Sequence, residues 1–193
     1  MNLLSYLAEH FDLPILDWIA EHLHCGFLDK LMPVITALGN GGIFWIALAV
    51  VLIIIPKYRK AGLSMGLALL MGLLVCNLTL KPLVARIRPY DFQLQQFGKT
   101  IPLLIATPHD FSFPSGHTIA SFEGAVALLL YDRKLGIPAA VLAFLIAFSR
   151  LYLYVHYPTD VLASVILGTA FAILGSFLVK QGYKLWENRK TAS

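Results

Sequence analysis

The chain has 193 residues, of which 58% are hydrophobic and only 13% are charged, and its formal net charge is +4. A water-soluble protein of this length needs a polar surface that this composition does not supply, so the sequence indicates an integral membrane protein with a single domain. In such a protein a basic excess is typical of loop charges that set the topology, and no nucleic-acid partner is expected. Cys25 and Cys76 form no Cys-x-x-Cys motif, so neither a disulfide framework nor a thiolate metal site is indicated.

Residues 1–38 combine apolar with charged side chains. The apolar residues Leu13, Leu16, Ile19 and Leu23 are interspersed with Asp12, Asp17 and Glu21. This pattern is typical of amphipathic helices that lie at a membrane interface, with Trp18 at the level of the lipid headgroups. Because residues 1–8 have no basic segment before the apolar run, we predict no cleaved signal peptide there.

Five long apolar segments follow, at 43–55, 61–80, 118–131, 137–155 and 161–179. A helix needs roughly 20 residues to cross the hydrocarbon core, so we predict an all-α integral membrane bundle of about five transmembrane helices. The expected layout is one membrane domain over residues 1–193. It comprises the amphipathic region 1–38, a transmembrane core at 39–180 and a tail at 181–193.

The distribution of basic residues predicts the orientation of these spans. Nine of the fifteen Lys and Arg residues fall on one side of the predicted bundle: Lys57, Arg59, Lys60, Arg133, Lys134, Lys180, Lys184, Arg189 and Lys190. The positive-inside rule makes that side cytoplasmic, and the tail with it. The opposite side, which carries the polar clusters of the sequence, is then extracytoplasmic.

Three polar clusters interrupt the apolar sequence. They are Lys81 with Arg88-Pro89, then Pro114-Ser115-Gly116-His117, and then Ser149-Arg150 with His156 and Asp160. Charged groups near membrane depth usually face a polar cavity and mark function. Three cations, two imidazoles and a carboxylate are suited to holding a phosphate, attacking it and protonating the leaving group.

Each cluster also has a simpler interpretation. Lys81 and Arg88 are compatible with cations at a membrane boundary whose charged ends reach the interface. Ser115 is a natural N-cap for the following helix, whose first backbone N–H groups attract anions. A carboxylate four residues after an imidazole can hold its Nδ1–H, but His156 and Asp160 also fit an ordinary surface pair. The convergence of all three clusters on one side favours a functional site.

Together the three clusters resemble the signature of the type 2 phosphatidic acid phosphatase superfamily. The pattern is Lys-x6-Arg-Pro, Pro-Ser-Gly-His and Ser-Arg-x5-His-x3-Asp, in this order and without a substitution. Three spaced motifs in order are far more specific than any one of them, and the resemblance covers residues 38–179. Many bacterial members of that family resemble a six-span plan, whereas about five spans are predicted here.

The resemblance implies a role for each residue of the signature. His156 would attack phosphorus and form a phosphohistidine, Asp160 would orient its imidazole, and His117 would protonate the leaving oxygen and then activate water. The phosphate would be bound by Lys81, Arg88, Arg150, Ser115 and Gly116. Because the protein itself supplies the positive charge, neither a metal ion nor another cofactor is expected.

The activity that the resemblance implies is hydrolysis of a lipid phosphate or diphosphate at the extracytoplasmic face of a bacterial cytoplasmic membrane. Undecaprenyl diphosphate is the first choice, and phosphatidylglycerophosphate or phosphatidate is the alternative, because fold and motifs do not separate these lipids. A lipid phosphotransferase is a variant of the same chemistry. A non-catalytic anion transporter is the alternative from another class, and it would not need two histidines at fixed spacing. The oligomeric state is not predicted.

Several polar residues outside the signature remain open. Glu123 lies within the third predicted span, where an acid is a functional candidate by default, although a structural role is favoured. Asn77, one turn before Lys81, would orient that lysine or hydrogen-bond between helices. His109 and Asp110 precede the second cluster and are interpreted as solvated loop residues, with a place at the entrance of a site as the alternative.

Overall fold

The structure is a computed structural model that describes residues 3–192, without the side chains of residues 191 and 192. Met1, Asn2 and Ser193, which the sequence analysis assigns to the N-terminal region and the tail, lie outside the described residues. Between residues 3 and 192 the chain is helical and contains no strand. The prediction of an all-α protein is therefore confirmed.

In the described range ten α-helices follow one another: α1 (Leu3–Leu7), α2 (Leu13–His22), α3 (Gly26–Ala37), α4 (Ile43–Ile54), α5 (Arg59–Met71), α6 (Lys81–Val84), α7 (Pro89–Phe97), α8 (Gly116–Leu129), α9 (Arg133–Tyr152) and α10 (Pro158–Ala192). Two π-helices, Ala8–Asp12 and Gly72–Leu80, join α1 to α2 and α5 to α6. Because α10 is continuous, the predicted boundary between core and tail at residue 180 is not a break in the helix.

Four stretches of the described chain are long and apolar enough to cross a membrane, by length and composition: Gly26–Ile54, Pro56–Phe97, Arg133–Tyr152 and Pro158–Lys190. The membrane-helix architecture is confirmed, with four candidate spans where the sequence predicts about five. The difference is the predicted span at 118–131, which corresponds to α8. This helix has only 14 residues, whereas a full crossing needs roughly 20.

The shortness of α8 follows from its place at the centre of the bundle, where it packs against α4, α5, α9 and α10. Small residues allow the helices to approach closely. A Cβ atom on Gly124 would lie 2.2 Å from Cε3 of Trp45, and one on Gly168 would lie 2.8 Å from the carbonyl oxygen of Ile119. Trp45 also donates from Nε1 to Oγ of Ser121 at 3.1 Å. Since protein surrounds it, α8 does not have to match the thickness of the lipid.

The two ends of the bundle differ in chemistry. At one end, which we call the basic end, lie the α4–α5 and α8–α9 connections with Lys57, Arg59, Lys60, Arg133 and Lys134. Tyr58 donates to Asp132 across these connections at 3.3 Å, and the ammonium of Lys180 lies 5.0 Å from the ring centre of Tyr131. At the other end, which we call the cluster end, α6 ends, α8 begins, α9 ends and α10 begins.

The N-terminal helices pack on the cluster end. Asp29, in the first turn of α3, accepts a hydrogen bond from the hydroxyl of Tyr152 at 2.6 Å. Thr36, in the last turn of α3, accepts one from Arg150 at 2.6 Å. Both partners belong to the last turn of α9, so these two bonds tie α3 to that end of α9. The interfacial position predicted for residues 1–38 stays a prediction.

The chain breaks its helix between the first two cations of the signature. α6 ends at Val84, and Ala85 adopts a left-handed conformation with φ of 47°. The next helix begins at Pro89, as is usual for a proline at the first helical position. Lys81 and Arg88 therefore do not share a helix face, and the extended backbone between them lets both side chains turn toward the same space.

Candidate active site

All three polar clusters reach one cavity of about 940 Å³ at the cluster end. Six of the residues predicted for the site line it: Lys81, Arg88, Gly116, His117, Arg150 and His156. Ser115 and Asp160 are buried directly behind this lining. The structure thus brings together side chains that lie up to 75 positions apart in the sequence, from Lys81 to His156.

His156 lies in the short connection between α9 and α10 and is 1% exposed. Arg88 approaches its Nε2 atom with Nη1 at 3.2 Å. A guanidinium only donates hydrogen bonds, so Nε2 is the acceptor and the ring proton sits on Nδ1. Burial, together with the charges of Arg88 and Arg150, lowers the pKa of His156 well below its usual range. The imidazole is neutral at pH 7, and the electron pair on its Nε2 faces the cations and accepts from Arg88.

Asp160 lies behind His156 at the start of α10. Its Oδ2 is 3.6 Å from Nδ1 of His156, which is too long for a hydrogen bond, and Nδ1 has no hydrogen-bond partner. The carboxylate instead accepts from the backbone N–H of Tyr157 at 3.1 Å and from Arg86 at 2.5 Å. The predicted bond between the imidazole and Asp160 is therefore not made in this structure, although both groups are in place for it.

The connection that carries His156 is held in an unusual backbone conformation. Tyr154 has a positive φ of 58°, which costs on the order of 1–3 kcal/mol for a residue other than glycine. Its hydroxyl donates to Asp17 and accepts from Gln93, both at 2.8 Å. The backbone N–H of His156 also bonds to the carbonyl of Arg150 at 3.3 Å. These contacts fix the loop and keep the imidazole turned toward the cavity.

Asp110 forms ion pairs with Lys81 and Arg88, the first two cations of the site. One carboxylate oxygen accepts from Nζ of Lys81 and the other from Nη2 of Arg88, each at 2.5 Å. Burial alone would raise the pKa of Asp110, but the hydrogen bonds from Lys81 and Arg88 lower it below its usual range. The carboxylate thus remains ionised at neutral pH and pairs with two of the cations that the sequence analysis predicts to bind phosphate. The interpretation of Asp110 as a solvated loop residue misses this contact, and the alternative, a place at the entrance of the site, is nearer to it.

Removal of this carboxylate should strengthen anion binding. Asp110→Asn keeps the shape of the side chain but removes the charge that competes with phosphate for Lys81 and Arg88. Each of these half-exposed ion pairs is worth up to about 1 kcal/mol, so the inhibition constant of inorganic phosphate should fall by about three- to tenfold. Competitive inhibition by phosphate measures this, with Asp91→Asn as the control. A weaker affinity in Asp110→Asn would contradict competition and indicate that Asp110 helps to arrange the cations.

Arg150 differs from the other two cations because no carboxylate accompanies it. It is 3% exposed, and Nη1 donates to the hydroxyl of Thr36 at 2.6 Å. Its Nε has no hydrogen-bond partner, and within residues 3–192 no acidic side chain forms an ion pair with it. A buried cation without a counter-charge is costly. It marks the position where an anion is expected to bind.

The second cluster begins α8 as predicted. Ser115 is the N-cap, and its hydroxyl accepts from the backbone N–H of Thr118 at 3.4 Å and from the Thr118 hydroxyl at 2.9 Å. The hydroxyl is therefore engaged inside the helix start, whereas Gly116 faces the cavity. A Cβ on Gly116 would lie 3.1 Å from Oδ1 of Asn77. The absence of a side chain at this position lets the first turn of α8 lie close to Asn77, which also lines the cavity.

His117 lines the same cavity as His156. Its Nε2 is 2.9 Å from the side-chain oxygen Oδ1 of Asn40. Because a carboxamide oxygen only accepts, the ring nitrogen carries the proton in this arrangement. His117 thus presents an N–H in the cavity while His156 presents an electron pair. With a second ring proton His117 can act as an acid, and the electron pair of His156 is what a nucleophile requires.

The cavity continues from the charged residues into an apolar part. Its wall there is formed by Ile46, Leu69, Leu70, Leu73, Ile119 and Ala120. Glu123, which is 1% exposed, also lines this part, and a Cβ on Gly72 would collide with its carboxyl group at 2.2 Å. The absence of a side chain at Gly72, within the π-helix, makes room for this carboxyl group. The cavity therefore has a strongly cationic end and an apolar end.

Four contacts of the site involve residues that the sequence analysis does not assign to it. They are Asn40 beside His117, Thr36 beside Arg150, Asp110 beside Lys81 and Arg88, and Arg86 beside Asp160. Asn40 lies in the turn between α3 and α4, and Thr36 lies in α3, within the region predicted to be amphipathic. Two of these residues had a signal in the sequence: a place at the entrance of a site was the alternative interpretation of Asp110, and Arg86 is a basic residue outside both the signature positions and the basic end.

Known proteins resemble this chain along most of its length. The PAP2 superfamily matches residues 61–183, a range that includes all three polar clusters. An undecaprenyl-diphosphatase from Sulfolobus acidocaldarius is 32% identical over 148 residues, which cover 76% of this chain and 68% of that protein. The undecaprenyl-diphosphatase BcrC from Bacillus subtilis is 31% identical over 151 residues, which cover 78% of this chain and 75% of that protein.

A solved structure has the same fold. The crystal structure of a transmembrane PAP2-type phosphatidylglycerolphosphate phosphatase from Bacillus subtilis superposes with a TM-score of 0.68 and 29% sequence identity. The superposition covers 95% of this chain and 88% of that one. The relatives and the solved structure are thus named for different lipid phosphates, although they share one architecture.

Proposed function

We propose that this chain, which belongs to the PAP2 superfamily and is a membrane phosphatase, hydrolyses the terminal phosphate of undecaprenyl diphosphate. In this proposal the reaction passes through a phosphohistidine at the extracytoplasmic face of a bacterial cytoplasmic membrane. The observation that carries the proposal is the cavity, which joins a cationic end with two histidines to an apolar end. An amphiphile with an anionic head fits both ends, whereas a water-soluble phosphate uses only one.

The first chemical step forms a bond between phosphorus and Nε2 of His156. The electron pair on Nε2 attacks the terminal phosphorus, and the bond from that phosphorus to the bridging oxygen breaks. Burial and the neighbouring cations lower the pKa of His117, and the negative charge of a bound diphosphate opposes this shift, so that His117 can carry a proton on each ring nitrogen. This imidazolium gives its Nε2 proton to the departing lipid phosphate and becomes a neutral imidazole. Lys81, Arg88 and Arg150 neutralise the oxygens on phosphorus, and a guanidinium suits such contacts because its N–H groups are fixed in a fork.

The second step releases phosphate. His117, now without its proton, takes one from a water molecule, whose oxygen attacks phosphorus. The bond between phosphorus and Nε2 breaks, and the electron pair returns to His156. Positioned proton transfer of this kind is worth about 10²- to 10⁴-fold in rate. Two easier steps replace one difficult step, and His117 ends with the proton with which it began.

A lipid panel tests this proposal. Purified protein in detergent should release phosphate from undecaprenyl diphosphate with a higher kcat/KM than from phosphatidylglycerophosphate or phosphatidate. Turnover should continue in EDTA, because protein cations supply the charge that a metal would otherwise supply. If EDTA abolished turnover and Mg²⁺ restored it, the proposed role of Lys81, Arg88 and Arg150 would be wrong. If no lipid in the panel released phosphate, the proposed activity itself would be wrong.

Phosphatidylglycerophosphate is the second candidate substrate. The Bacillus subtilis structure named for that lipid supports it, since it is 29% identical and shares the architecture. This phosphomonoester would use the same cations and the same two histidines, but its leaving group is an alcohol rather than a phosphate. A higher kcat/KM for phosphatidylglycerophosphate than for undecaprenyl diphosphate would make phosphatidylglycerophosphate the preferred substrate. The proposed phosphatase chemistry would be unchanged.

Cysteine labelling tests which face carries the site. The basic end opposes the cluster end, and the positive-inside rule supports a cytoplasmic basic end. Gln95, at the cluster end, and Lys57 and Lys184, at the basic end, are exposed. With exposed Cys25 and buried Cys76 replaced by serine, a cysteine at position 95 should react with an impermeant maleimide in intact cells. Cysteines at positions 57 and 184 should react only after lysis.

The reverse labelling pattern would overturn the extracytoplasmic placement. It would also disfavour undecaprenyl diphosphate released at the outer leaflet, because the site would then face the cytoplasm. The variant without cysteines is the control for background labelling. Phosphate release by each variant shows that the introduced cysteine has left the fold intact.

A further inference from the structure

We propose that Asp12 and Arg86 form, with Asp160, a buried charge relay that keeps the carboxylate of Asp160 available to the positive charge that develops on His156. The inference rests on the proposed function, because it concerns the covalent step at His156. Asp12 and Arg86 do not line the cavity. They are positioning residues, which act on the reaction through Asp160.

Arg86 lies between two carboxylates. Its Nη2 donates to Oδ2 of Asp12 at 2.7 Å, and its Nη1 donates to Oδ1 of Asp160 at 2.5 Å. Both carboxylates are fully buried, and Arg86 is 6% exposed. A buried ion pair of this kind contributes little net stability compared with apolar residues of the same size. A third buried charge requires a reason beyond holding the fold together.

Asp12 is fixed to the same turn that carries Asp160. Its Oδ1 accepts from the backbone N–H of Thr159 at 2.9 Å, and its Oδ2 accepts from the Thr159 hydroxyl at 2.8 Å. The guanidinium carbon of Arg86 lies 3.7 Å from the ring centre of Tyr157. The last residue of the first π-helix thus controls the surroundings of the first turn of α10, which lies 147 positions further along the chain.

The relay contains one more negative than positive charge, since two carboxylates share one guanidinium. When Nε2 of His156 binds phosphorus, the imidazole becomes a cation whose proton is on Nδ1. That atom is 3.6 Å from Oδ2 of Asp160, so the excess negative charge of the relay then has its counter-charge. Without the charge of Asp12, Arg86 would neutralise Asp160, and the imidazolium would form beside a neutral pair. Such effects are strong in a buried site.

A purely structural role for Asp12 makes a different prediction. In that case Arg86 would only tie the N-terminal helices to the bundle, and its loss would lower stability and disturb all functions of the site together. The relay instead predicts a selective loss, confined to states in which His156 is positively charged. Binding of inorganic phosphate to the free enzyme does not require that charge, whereas the transition state for phosphoryl transfer does.

Asp12→Asn separates these possibilities because it removes the charge but keeps an oxygen for Thr159. We expect kcat for undecaprenyl diphosphate to fall by about 10- to 100-fold, which is the range known for the outer-shell partners of metal-bound histidines. KM and the inhibition constant of inorganic phosphate should change by less than about threefold. The inhibition constant of orthovanadate, which mimics five-coordinate phosphorus, should rise with the loss in kcat.

Glu21→Gln is the matched control. Glu21 is an exposed acid on the neighbouring helix α2, and it makes no contact with Arg86 or Asp160. This variant should leave the ratio of the orthovanadate and phosphate inhibition constants at the wild-type value. A change in that ratio of the same size as in Asp12→Asn would contradict the relay.

A double variant restores the charge balance. Asp12→Asn with Arg86→Gln leaves Asp160 as the one charge of the relay, so the net charge is again −1. We expect this protein to turn over at least about fivefold faster than Asp12→Asn alone, a coupling that independent sites do not show. If Asp12→Asn cannot be purified folded, Arg86→Lys should exceed Arg86→Gln by about tenfold, because without a cation between them the two buried carboxylates repel each other and Asp160 can take up a proton.

Several results would overturn the relay. The first two are a wild-type kcat in Asp12→Asn and equal losses of phosphate and orthovanadate affinity in that variant. The third is a double variant that turns over no faster than Asp12→Asn. The fourth is an equal loss of activity in Arg86→Lys and Arg86→Gln. These results are distinct from a failure of the proposed function. That failure would appear as phosphate release by His156→Ala, whereas a failed relay leaves His156→Ala inactive.

Discussion

Replacement of His156 with alanine is expected to lower turnover of undecaprenyl diphosphate by about 10⁴-fold or more, a loss typical of removing a covalent nucleophile. The change removes the nitrogen that Arg88 holds at 3.2 Å, and with it the covalent intermediate. Phosphate release in detergent measures the loss. His22→Ala is the control, because His22 is exposed on α2 and bonds only to its own helix at the Trp18 carbonyl.

Asp160→Asn should retain more activity than His156→Ala. It removes a group that orients and stabilises the imidazolium but leaves the nucleophile in place. A rapid quench in alkali, in which phosphohistidine is stable, should recover labelled phosphate on the wild-type protein and none on His156→Ala. Turnover by His156→Ala near the wild-type rate would contradict covalent catalysis at this residue, whichever lipid is the substrate.

The convergence of the polar clusters was predictable because the membrane restricts where they can lie. Apolar segments of known length must run from one face to the other, so each cluster falls at a segment end, and basic residues mark the opposite ends. The chemistry of the clusters then followed from three ordered motifs. The structure agrees with this sequence-based picture for Lys81, Arg88, His117, Arg150 and His156, which all line one cavity.

The contacts among charged groups were less accessible from the sequence. Asp110 lies in a polar loop, where acids are usually solvated, and its partner Lys81 is 29 positions away. Asp12 lies in a helix whose pattern is amphipathic, so its burial against Arg86, 74 positions away, has no local signal. Hydrophobic periodicity reports which side of a helix is apolar. It does not report which acid of a polar side will meet a cation from another helix.

The lengths of the helices were predictable only in part, and for a physical reason. Apolar runs look alike whether they face lipid or protein, so the run at 118–131 was assigned to a span. In the structure this helix is enclosed by its neighbours, and Asp132 begins the next helix by accepting from the backbone N–H of Lys134 at 2.9 Å. Composition therefore predicts membrane helices more reliably than it predicts their ends.

Arg150→Gln is expected to lower kcat/KM by about 10³-fold, since it removes a buried donor that stabilises charge on the transferred phosphoryl group. The same change should not destabilise the free protein. Arg150 is a buried guanidinium whose Nε has no hydrogen-bond partner, and replacement of an uncompensated buried charge by a neutral group is often neutral or stabilising. We therefore expect the melting temperature in detergent, without phosphate, to stay the same or rise by a few degrees.

Inorganic phosphate should reverse the order of the two melting temperatures, so that the wild type melts at a higher temperature than Arg150→Gln. It raises the melting temperature of the wild type in proportion to its binding, whereas Arg150→Gln has lost the cation that lacks a carboxylate partner and should gain little. Arg133→Gln, the same substitution at the exposed start of the same helix, should behave like the wild type in both assays. If Arg150→Gln melted lower than the wild type without phosphate, Arg150 would be part of the structural framework. If it melted higher and was inactive, the protein would be retaining an unfavourable buried charge because the anion that balances it is the substrate.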